Sequence, residues 1–313
     1  MGWRSWLVAL IFLPTSLFAQ NANSRADLII TGGTVVTMDG TRAIYEDGAV
    51  VVKGDTIVAV GPQAELEAKY QASQTIDAKG KLVLPGFING HTHVPMTLFR
   101  GIHDDVTLND WLYKYIFPAE AKNVNEEFVR WGTRLAAAEQ IRSGVTTFAD
   151  MYYFEDAVAE ETKAAGMRGV LGETFIDFPA PDNKTNAEML AYTEKFLKRW
   201  QGDALVHAAP APHSIYTCSK KTIQDAAALA RKYHAPLLMH VSEMKKEWED
   251  SEKANGMSPV QYLEKIGVLG RDLVAAHSGD VWFFEAGEGA VLDLDTTEDV
   301  EFLKRRGYAI EEG

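Results

Sequence analysis

The sequence predicts an α/β protein whose main domain is a (β/α)8 TIM-type barrel, incomplete at about six to seven strands. Beyond residue 86, short apolar runs alternate with amphipathic helical segments, which is the pattern of βαβ units around a parallel sheet. Reactive polar side chains follow the ends of several of these runs, as they do at the mouth of a barrel. An open dinucleotide-binding sheet fits less well, because "GGT" at 32–34 precedes no helix.

Residues 1–19 have the pattern of a secretory signal peptide. Arg4 precedes an apolar run from Trp6 to Phe18, and Ala19 stands before the polar "QNANS". The run is shorter than the roughly 20 residues of a spanning helix, and an uncleaved anchor is the alternative. We therefore expect an exported protein, periplasmic or secreted, that leaves the membrane after signal cleavage. The single cysteine, Cys218, excludes an internal disulfide.

A small β module is expected over residues 20–85. Between residues 26 and 62, short β-branched runs are separated by Gly and Asp turn signals, which predicts antiparallel strands. The segment "QTIDAKGKLVLPGFINGHTH" adds another strand or two, the last of which carries His91.

Residues 86–278 contain the barrel elements, and residues 279–313 form an atypical tail that could add one further helix and strand between 298 and 310. Counting the strand with His91, six strands are expected up to Ser278. The other predicted strands span 145–152, 168–175, 204–214, 235–243 and 272–278, and the predicted helices span 125–142, 155–165, 186–200, 220–234 and 258–267.

Net charge excludes two classes of partner. The chain carries a formal charge of −13, whereas nucleic acids and anionic membranes favour a basic face. A small-molecule substrate is the remaining expectation, and the sequence leaves open whether the chain forms a homo-oligomer.

Three histidines and one glutamate supply what a catalytic zinc site needs. His91 and His93 alternate along a strand, so their rings point to the same side. His240 ends the apolar run "PLLMH", and Glu243 follows three residues later. A catalytic zinc requires three protein ligands, an open position and a nearby carboxylate that moves protons.

Three further side chains are candidates, and two of them have alternative interpretations. His277 ends "DLVAAH" and is either a core residue or a group that orients water at the metal. His213, in "APHSIY", is expected to reach the pocket from a loop. Cys218 has no base placed to activate it, so a structural role is favoured over a nucleophilic one.

The motifs together resemble a known family. "LPGFINGHTHVPMTLFRGIHDDVTLNDWLYKYIFPAE", "SGVTTFADMYY", "APHSIYTCS", "MHVSE" and "AAHS" occur in the order found in the amidohydrolase superfamily. Within it, the chain is most similar to methylthioadenosine/S-adenosylhomocysteine deaminases, with chlorohydrolases as near relatives. The resemblance covers about residues 27–278. It implies a distorted (β/α)8 barrel beside a small β-sandwich built from both chain ends.

The resemblance also implies a reaction and its residues. Metal-bound hydroxide would remove the amino group of an aminated purine nucleoside, with one Zn²⁺ per chain as the expected cofactor and Fe²⁺ as the alternative. The implied metal ligands are His91, His93 and His240; the implied catalytic residues are Glu243 as proton shuttle and His277 as the water-orienting group; the implied substrate contacts are Glu120 and His213.

Two departures from the family pattern leave alternatives. The "SHNP" and "GTDG" segments, the second with the last metal-ligand Asp, have no counterpart after His277. The first alternative is therefore an inactive, truncated or chimeric chain. Glu173 stands near where some of the deaminases have an arginine for the substrate carboxylate. The second alternative is a chlorohydrolase, or an amidohydrolase acting on another N-heterocycle or C–N bond.

Overall fold

The computed structural model describes residues 24–283 and 291–294, with backbone alone from residue 278 onward. The expected signal peptide and most of the expected tail lie outside the described residues. The chain divides into two compact units, Met1–Pro85 and Gly86–Gly313. None of the helices within the described ranges has the length and apolar character needed to cross a bilayer.

The first unit contains one mixed five-stranded sheet in the order β3-β2-β1-β4, with β5 also paired to β1. Strands β1 to β3 are antiparallel, as the sequence predicts, but β4 and β5 run parallel to β1. Helix α1 makes this possible, because parallel pairing requires a crossover between strands. The β-sandwich implied by the resemblance stays a prediction. The bounds are β1 (Ser24–Val36), β2 (Ile44–Lys53), β3 (Thr56–Pro62), α1 (Gln63–Lys69), β4 (Tyr70–Asp77) and β5 (Leu82–Val83).

The second unit is an α/β structure with parallel strands, which confirms the predicted class. Its described strands form two parallel runs, β6-β7-β8-β9 and β10-β11, and β12 pairs antiparallel with β11. The two runs meet where the His240 N–H donates to the His213 carbonyl at 2.9 Å. The bounds are β6 (Phe87–Thr92), β7 (Val145–Tyr152), β8 (Arg168–Phe175), β9 (Val206–Pro212), β10 (Leu237–His240), β11 (Leu273–Phe283) and β12 (Val291–Leu294).

Helices connect these strands, and side-chain caps fix where several of them begin. Thr185 and Glu188 form a reciprocal capping box at the start of α6, and Ser258 and Gln261 form another at α9. The bounds are a 3-10 helix (Val94–Phe99), α2 (Leu108–Asp110), a π-helix (Trp111–Ile116), α3 (Phe117–Asn123), α4 (Glu126–Arg142), α5 (Glu155–Ala164), α6 (Asn186–Trp200), α7 (Lys220–Tyr233), α8 (Lys245–Asn255) and α9 (Pro259–Lys265).

The core of the second unit lies between the helices and the strands. Phe148, Leu171 and Met239 are at most 1% exposed, and each comes from a different strand. Strands that are covered on both faces have nearly continuous apolar sequences. This explains why apolar and polar residues do not alternate in "PLLMH". A rigid strand layer of this kind fixes the positions of the side chains that follow it.

Helix α4 packs directly on the segment after His93, and Gly132 permits this contact. A Cβ at residue 132 would clash with the backbone of Pro95, including its carbonyl oxygen. We expect Gly132→Ala to destabilise the protein. Overpacking costs about 1–3 kcal/mol, and the gain in helix propensity recovers only about 1 kcal/mol. Thermal unfolding should show a lower Tm for Gly132→Ala. Gly166→Ala is the comparison: residue 166 lies at a helix end with open space around it, so any fall in Tm there reflects its positive φ and not a steric clash. An unchanged Tm for Gly132→Ala would show that α4 does not pack this closely.

Candidate metal centre

Four histidines converge at the ends of the parallel strands. His91 lies in β6, His93 directly follows that strand, His240 ends β10 and His277 lies in β11. One ring nitrogen of each lies within 4.8 Å of one nitrogen of every other, and these are the only such His, Cys, Asp or Glu group in the described residues. The structure thus brings together the three predicted ligands and the predicted water-orienting histidine.

Hydrogen bonds fix how two of the rings are protonated. The Nδ1 atom of His93 lies 2.6 Å from the Met151 carbonyl, and that of His240 lies 2.9 Å from the His213 carbonyl. A carbonyl only accepts, so each Nδ1 carries the proton and each Nε2 presents a lone pair. The two Nε2 atoms are 3.3 Å apart. Two nitrogens bound tetrahedrally to one Zn²⁺ at about 2.0–2.1 Å are separated by about 3.3 Å. The pair therefore fits a shared metal ion.

The remaining ring and the protonation of the group support the same fit. His91 Nε2 is buried and has no hydrogen-bond partner. Burial, together with the neighbouring histidines, lowers the pKa of His91 to about 2, and burial lowers the pKa of His93 to about 4. The pKa of His240 is also well below its usual value, chiefly through burial. Neutral imidazole is the form that binds metal.

Glu243 lies beside this cluster and is held by Tyr216. The Tyr216 hydroxyl donates to Glu243 Oε2 at 2.5 Å, and Glu243 Oε1 is 3.7 Å from His277 Nε2. Ser242 and His277 both have positive φ values, 58° and 63°. Non-glycine residues adopt this conformation at a cost, and such residues are concentrated at functional sites. Here the turn at Ser242 redirects the chain between His240 and Glu243.

Glu120 and His213 face the same cavity. Glu120 is 4% exposed, and burial raises the pKa of its carboxyl to about 7, although the hydroxyls of Tyr152 and Tyr153 partly oppose the shift. His213 Nδ1 is 2.9 Å from the Thr217 hydroxyl. Burial lowers the pKa of His213 to about 3, so its ring is neutral.

Part of the cavity lining is an apolar wall that includes Trp111, Leu112 and Ile116. Sequence reasoning missed this wall and Tyr216, because the 3-10, α2 and π-helical segments between residues 94 and 116 show no regular apolar period. The available signal was the density of aromatic residues in "WLYKYIF". The lining residues are His93, Met96, Leu108, Trp111, Leu112, Ile116, Phe117, Glu120, Met151, Tyr152, Tyr153, Thr174, His213, His240 and Glu243.

Two residues weighed from the sequence take no part in this lining. Cys218 is buried, its Sγ lies 3.1 Å from the Phe175 carbonyl, and burial raises its pKa to about 11. It is therefore a thiol held in the core. Glu173 is fully buried in β8, where it accepts from the Glu155 backbone N–H at 3.0 Å.

Known proteins are similar to this chain in sequence and in fold. The model of the Amidohydrolase family matches residues 82–298, and that of the imidazolonepropionase-like bacterial composite domain matches residues 48–70. A 5-methylthioadenosine/S-adenosylhomocysteine deaminase from Syntrophus aciditrophicus is 47% identical over 80% of this chain and 57% of its own length. A 5'-deoxyadenosine deaminase from Methanobrevibacter smithii is 42% identical over 84% and 56%. The chain thus spans little more than half the length of the curated relatives it matches.

Solved structures of known proteins also superpose on this chain. A zinc-bound adenosine deaminase from Xanthomonas campestris superposes with a TM-score of 0.82 at 32% identity, covering 91% of this chain and 62% of that one. The zinc complex of an atrazine chlorohydrolase from Arthrobacter aurescens superposes with a TM-score of 0.72 at 24% identity, over 80% and 60%, and shows the fold alone. The family match extends over more than half of the sequence and includes all four clustered histidines. This chain belongs to the amidohydrolase family.

Proposed function

We propose that this chain is a metal-dependent deaminase that releases ammonia from an aminated purine nucleoside. The observation that carries the proposal is the four-histidine cluster with Glu243 beside it. The names of the relatives support the substrate class, since they include 5-methylthioadenosine/S-adenosylhomocysteine and 5'-deoxyadenosine deaminases. The proposal includes Zn²⁺ as the metal, an incomplete (β/α)8 barrel of about six to seven strands as the fold of the second unit, and a small β-sandwich as the fold of the first.

His91, His93 and His240 would hold the metal. A divalent ion in that position would lower the pKa of a water molecule to about 7 and so would make a nucleophile available at neutral pH. His277 lies at the same cluster and would orient that water. Zinc is the ion in the Xanthomonas structure, and three imidazoles with one open position suit it.

Glu243 would move the proton. Its carboxylate accepts a proton from the attacking water and passes it to a nitrogen of the purine ring. The water oxygen forms a bond to the ring carbon that bears the amino group. Its second proton passes through Glu243 to that amino group, the C–N bond breaks, and ammonia leaves. Tyr216 donates to one oxygen of Glu243, which leaves the other free to face the cluster and His277.

Glu120 and His213 would bind the substrate. A carboxylate can accept from two hydroxyl groups at once, so Glu120 suits the ribose diol. His213 is a neutral ring in the same cavity and would contact the base. The apolar wall with Trp111 and Leu112 suits the flat, uncharged face of a nucleoside.

Ammonia release from a panel of substrates tests the proposal. The purified chain, loaded with Zn²⁺, would be given adenosine, 5'-deoxyadenosine, methylthioadenosine and S-adenosylhomocysteine, with a chlorinated triazine as the comparison. Ammonia from the nucleosides supports the deaminase, and chloride from the triazine alone would favour a chlorohydrolase. Stoichiometric zinc without any turnover would favour an inactive metal-binding chain.

The pKa of Glu120 predicts a pH dependence of substrate binding. Burial raises this pKa to about 7, so the carboxyl is mostly protonated at pH 6 and mostly ionised at pH 8. A neutral acid is a weaker acceptor for two ribose hydroxyls. We expect KM for the nucleoside to rise severalfold between pH 8 and pH 6. In Glu120→Gln, KM should be high at both pH values, and a pH dependence that persists in this variant would assign it to another group.

Export remains part of the proposal. Its support is the apolar run from Trp6 to Phe18 after Arg4. Fractionation of cells that express the full chain would place it in the periplasm or medium, and a cytoplasmic location with residues 1–19 still attached would contradict it.

A further inference from the structure

Asp150 holds the chain on both sides of His93. It is fully buried in β7, and its Oδ1 accepts from the Thr92 hydroxyl at 2.6 Å and from the Val94 N–H at 2.7 Å. The Thr92 hydroxyl also lies 2.8 Å from the Ala149 carbonyl. The hydroxyl has a single proton, and the charged Asp150 carboxylate is a stronger acceptor than the Ala149 carbonyl, so the proton is donated to Asp150. One oxygen atom thus fixes the two residues that flank His93.

The next residue of β7 fixes the ring itself. The Met151 carbonyl accepts from His93 Nδ1 at 2.6 Å, which turns Nε2 toward the other histidines. Asp150 and Met151 together therefore set both the backbone and the ring orientation of His93. Groups that orient a ligand in this way are usually worth one to two orders of magnitude in metal affinity.

The second oxygen of Asp150 faces another acid. Asp150 Oδ2 and both carboxylate oxygens of Glu155 are buried, and no side-chain hydroxyl or N–H group of the described residues donates to them. Each carboxyl nevertheless shifts the pKa of the other through a direct side-chain interaction. Two ionised carboxylates in such contact would repel, whereas one shared proton makes a hydrogen bond.

The surroundings place that proton on Glu155. Burial, and then the charge of Asp150, raises the pKa of Glu155 well above its usual value. Burial raises the pKa of Asp150 only to about 6, because the Thr92 hydroxyl and the Val94 N–H stabilise its charge. Glu155 is the first residue of α5 and is completely buried.

We propose that Asp150 is a positioning residue for His93 and that Glu155, as a neutral acid, donates the hydrogen bond that keeps Asp150 aimed at Thr92 and Val94. The inference rests on the proposed metal site, since its effect is on the affinity of that site. Neither residue touches the substrate cavity. Their contribution is to hold one ligand in the geometry that the other two histidines require.

Zinc affinity of the full chain tests the inference without any assay of turnover. Competition with a chromogenic chelator would give Kd for Zn²⁺ in the wild type, Glu155→Gln and Glu155→Leu. Glutamine has an N–H₂ that can donate to Asp150 as the neutral acid does, and leucine has a similar size but no donor. We expect Glu155→Gln to stay within about threefold of the wild type and Glu155→Leu to bind about 10- to 100-fold more weakly.

A second pair of variants keeps the test open if Glu155→Leu fails to fold. Thr92→Ser keeps the hydroxyl that donates to Asp150, and Thr92→Val removes it with little change in shape. We expect a several-fold loss of zinc affinity for valine and little change for serine. Circular dichroism of the metal-free proteins would check that each variant is folded at the temperature of the titration.

The possible outcomes distinguish a failure of this inference from a failure of the proposed metal site. Equal affinities within both pairs, with zinc bound normally by the wild type, would overturn this inference and leave the metal site standing. Equal losses for Glu155→Gln and Glu155→Leu would show that Glu155 does not act as a donor. A wild-type chain that binds no zinc would overturn the metal site, and the role of Asp150 with it.

Discussion

Glu243→Gln is expected to lower kcat for deamination by about 10²- to 10⁴-fold, the usual contribution of a positioned acid–base group. Glutamine has nearly the same shape as glutamate, and its amide oxygen can still accept from the Tyr216 hydroxyl. It cannot take a proton from water. Three histidines would still bind the metal, so zinc content should match that of the wild type.

The control for this variant is a glutamate in the neighbouring helix. Glu249 lies in α8, has a side chain that is 58% exposed and pairs with Lys245 on the surface. Glu249→Gln changes the net charge by the same amount and should leave kcat unchanged. The measurement is ammonia release at saturating substrate, together with zinc content by atomic absorption. Near-wild-type kcat in Glu243→Gln would assign the shuttle to another residue, and loss of zinc would make Glu243 a ligand.

The regular elements could be predicted because their signals are local. Helix α6 has the predicted bounds, Asn186–Trp200, since Thr185 and Glu188 cap its start within four residues of sequence. All six predicted parallel strands are present, and β7 and β8 keep their predicted limits. The strands are short apolar runs between turn signals, which a single sequence shows directly.

Other elements had no such signal. Helix α8, Lys245–Asn255, was not predicted, because "KKEWEDSEKAN" has one aromatic residue and no apolar stripe. The segment from Val94 to Asn123 contains 3-10 and π turns, whose hydrogen bonds do not follow the 3.6-residue period. The parallel pairing of β4 with β1 depends on a crossover and so on tertiary structure.

Some residues of the candidate site could likewise be predicted from local sequence, and others could not. Residues at strand ends could be predicted to meet, because the ends of parallel strands share one edge, and His91, His93, His240 and His277 do meet. The groups that orient them come from remote parts of the chain. Asp150 is 58 residues from Thr92, and Tyr216 is 27 residues from Glu243. No spacing rule connects such pairs, so only the fold shows them.

Removing one imidazole from the cluster gives the second large effect. We expect His91→Ala to weaken Zn²⁺ binding by more than about 100-fold, since even groups that only orient a ligand contribute 10- to 100-fold. The wild-type ring presents a buried Nε2 without any protein partner. Burial keeps its pKa near 2, so the ring is neutral at every physiological pH. With alanine at residue 91, only His93 and His240 remain of the three proposed ligands, and a catalytic zinc requires three protein ligands.

A histidine from another strand serves as the control. His207 lies in β9, but its side chain is exposed rather than directed to the cluster. His207→Ala should keep the zinc affinity of the wild type in the same chelator competition. His91→Ala should also lose the rise in Tm that zinc gives the wild type, because an ion that binds only the folded state stabilises it in proportion to its affinity. Unchanged zinc affinity in His91→Ala would remove His91 from the ligand set and leave His93, His240 and His277 as the three imidazoles that hold the ion.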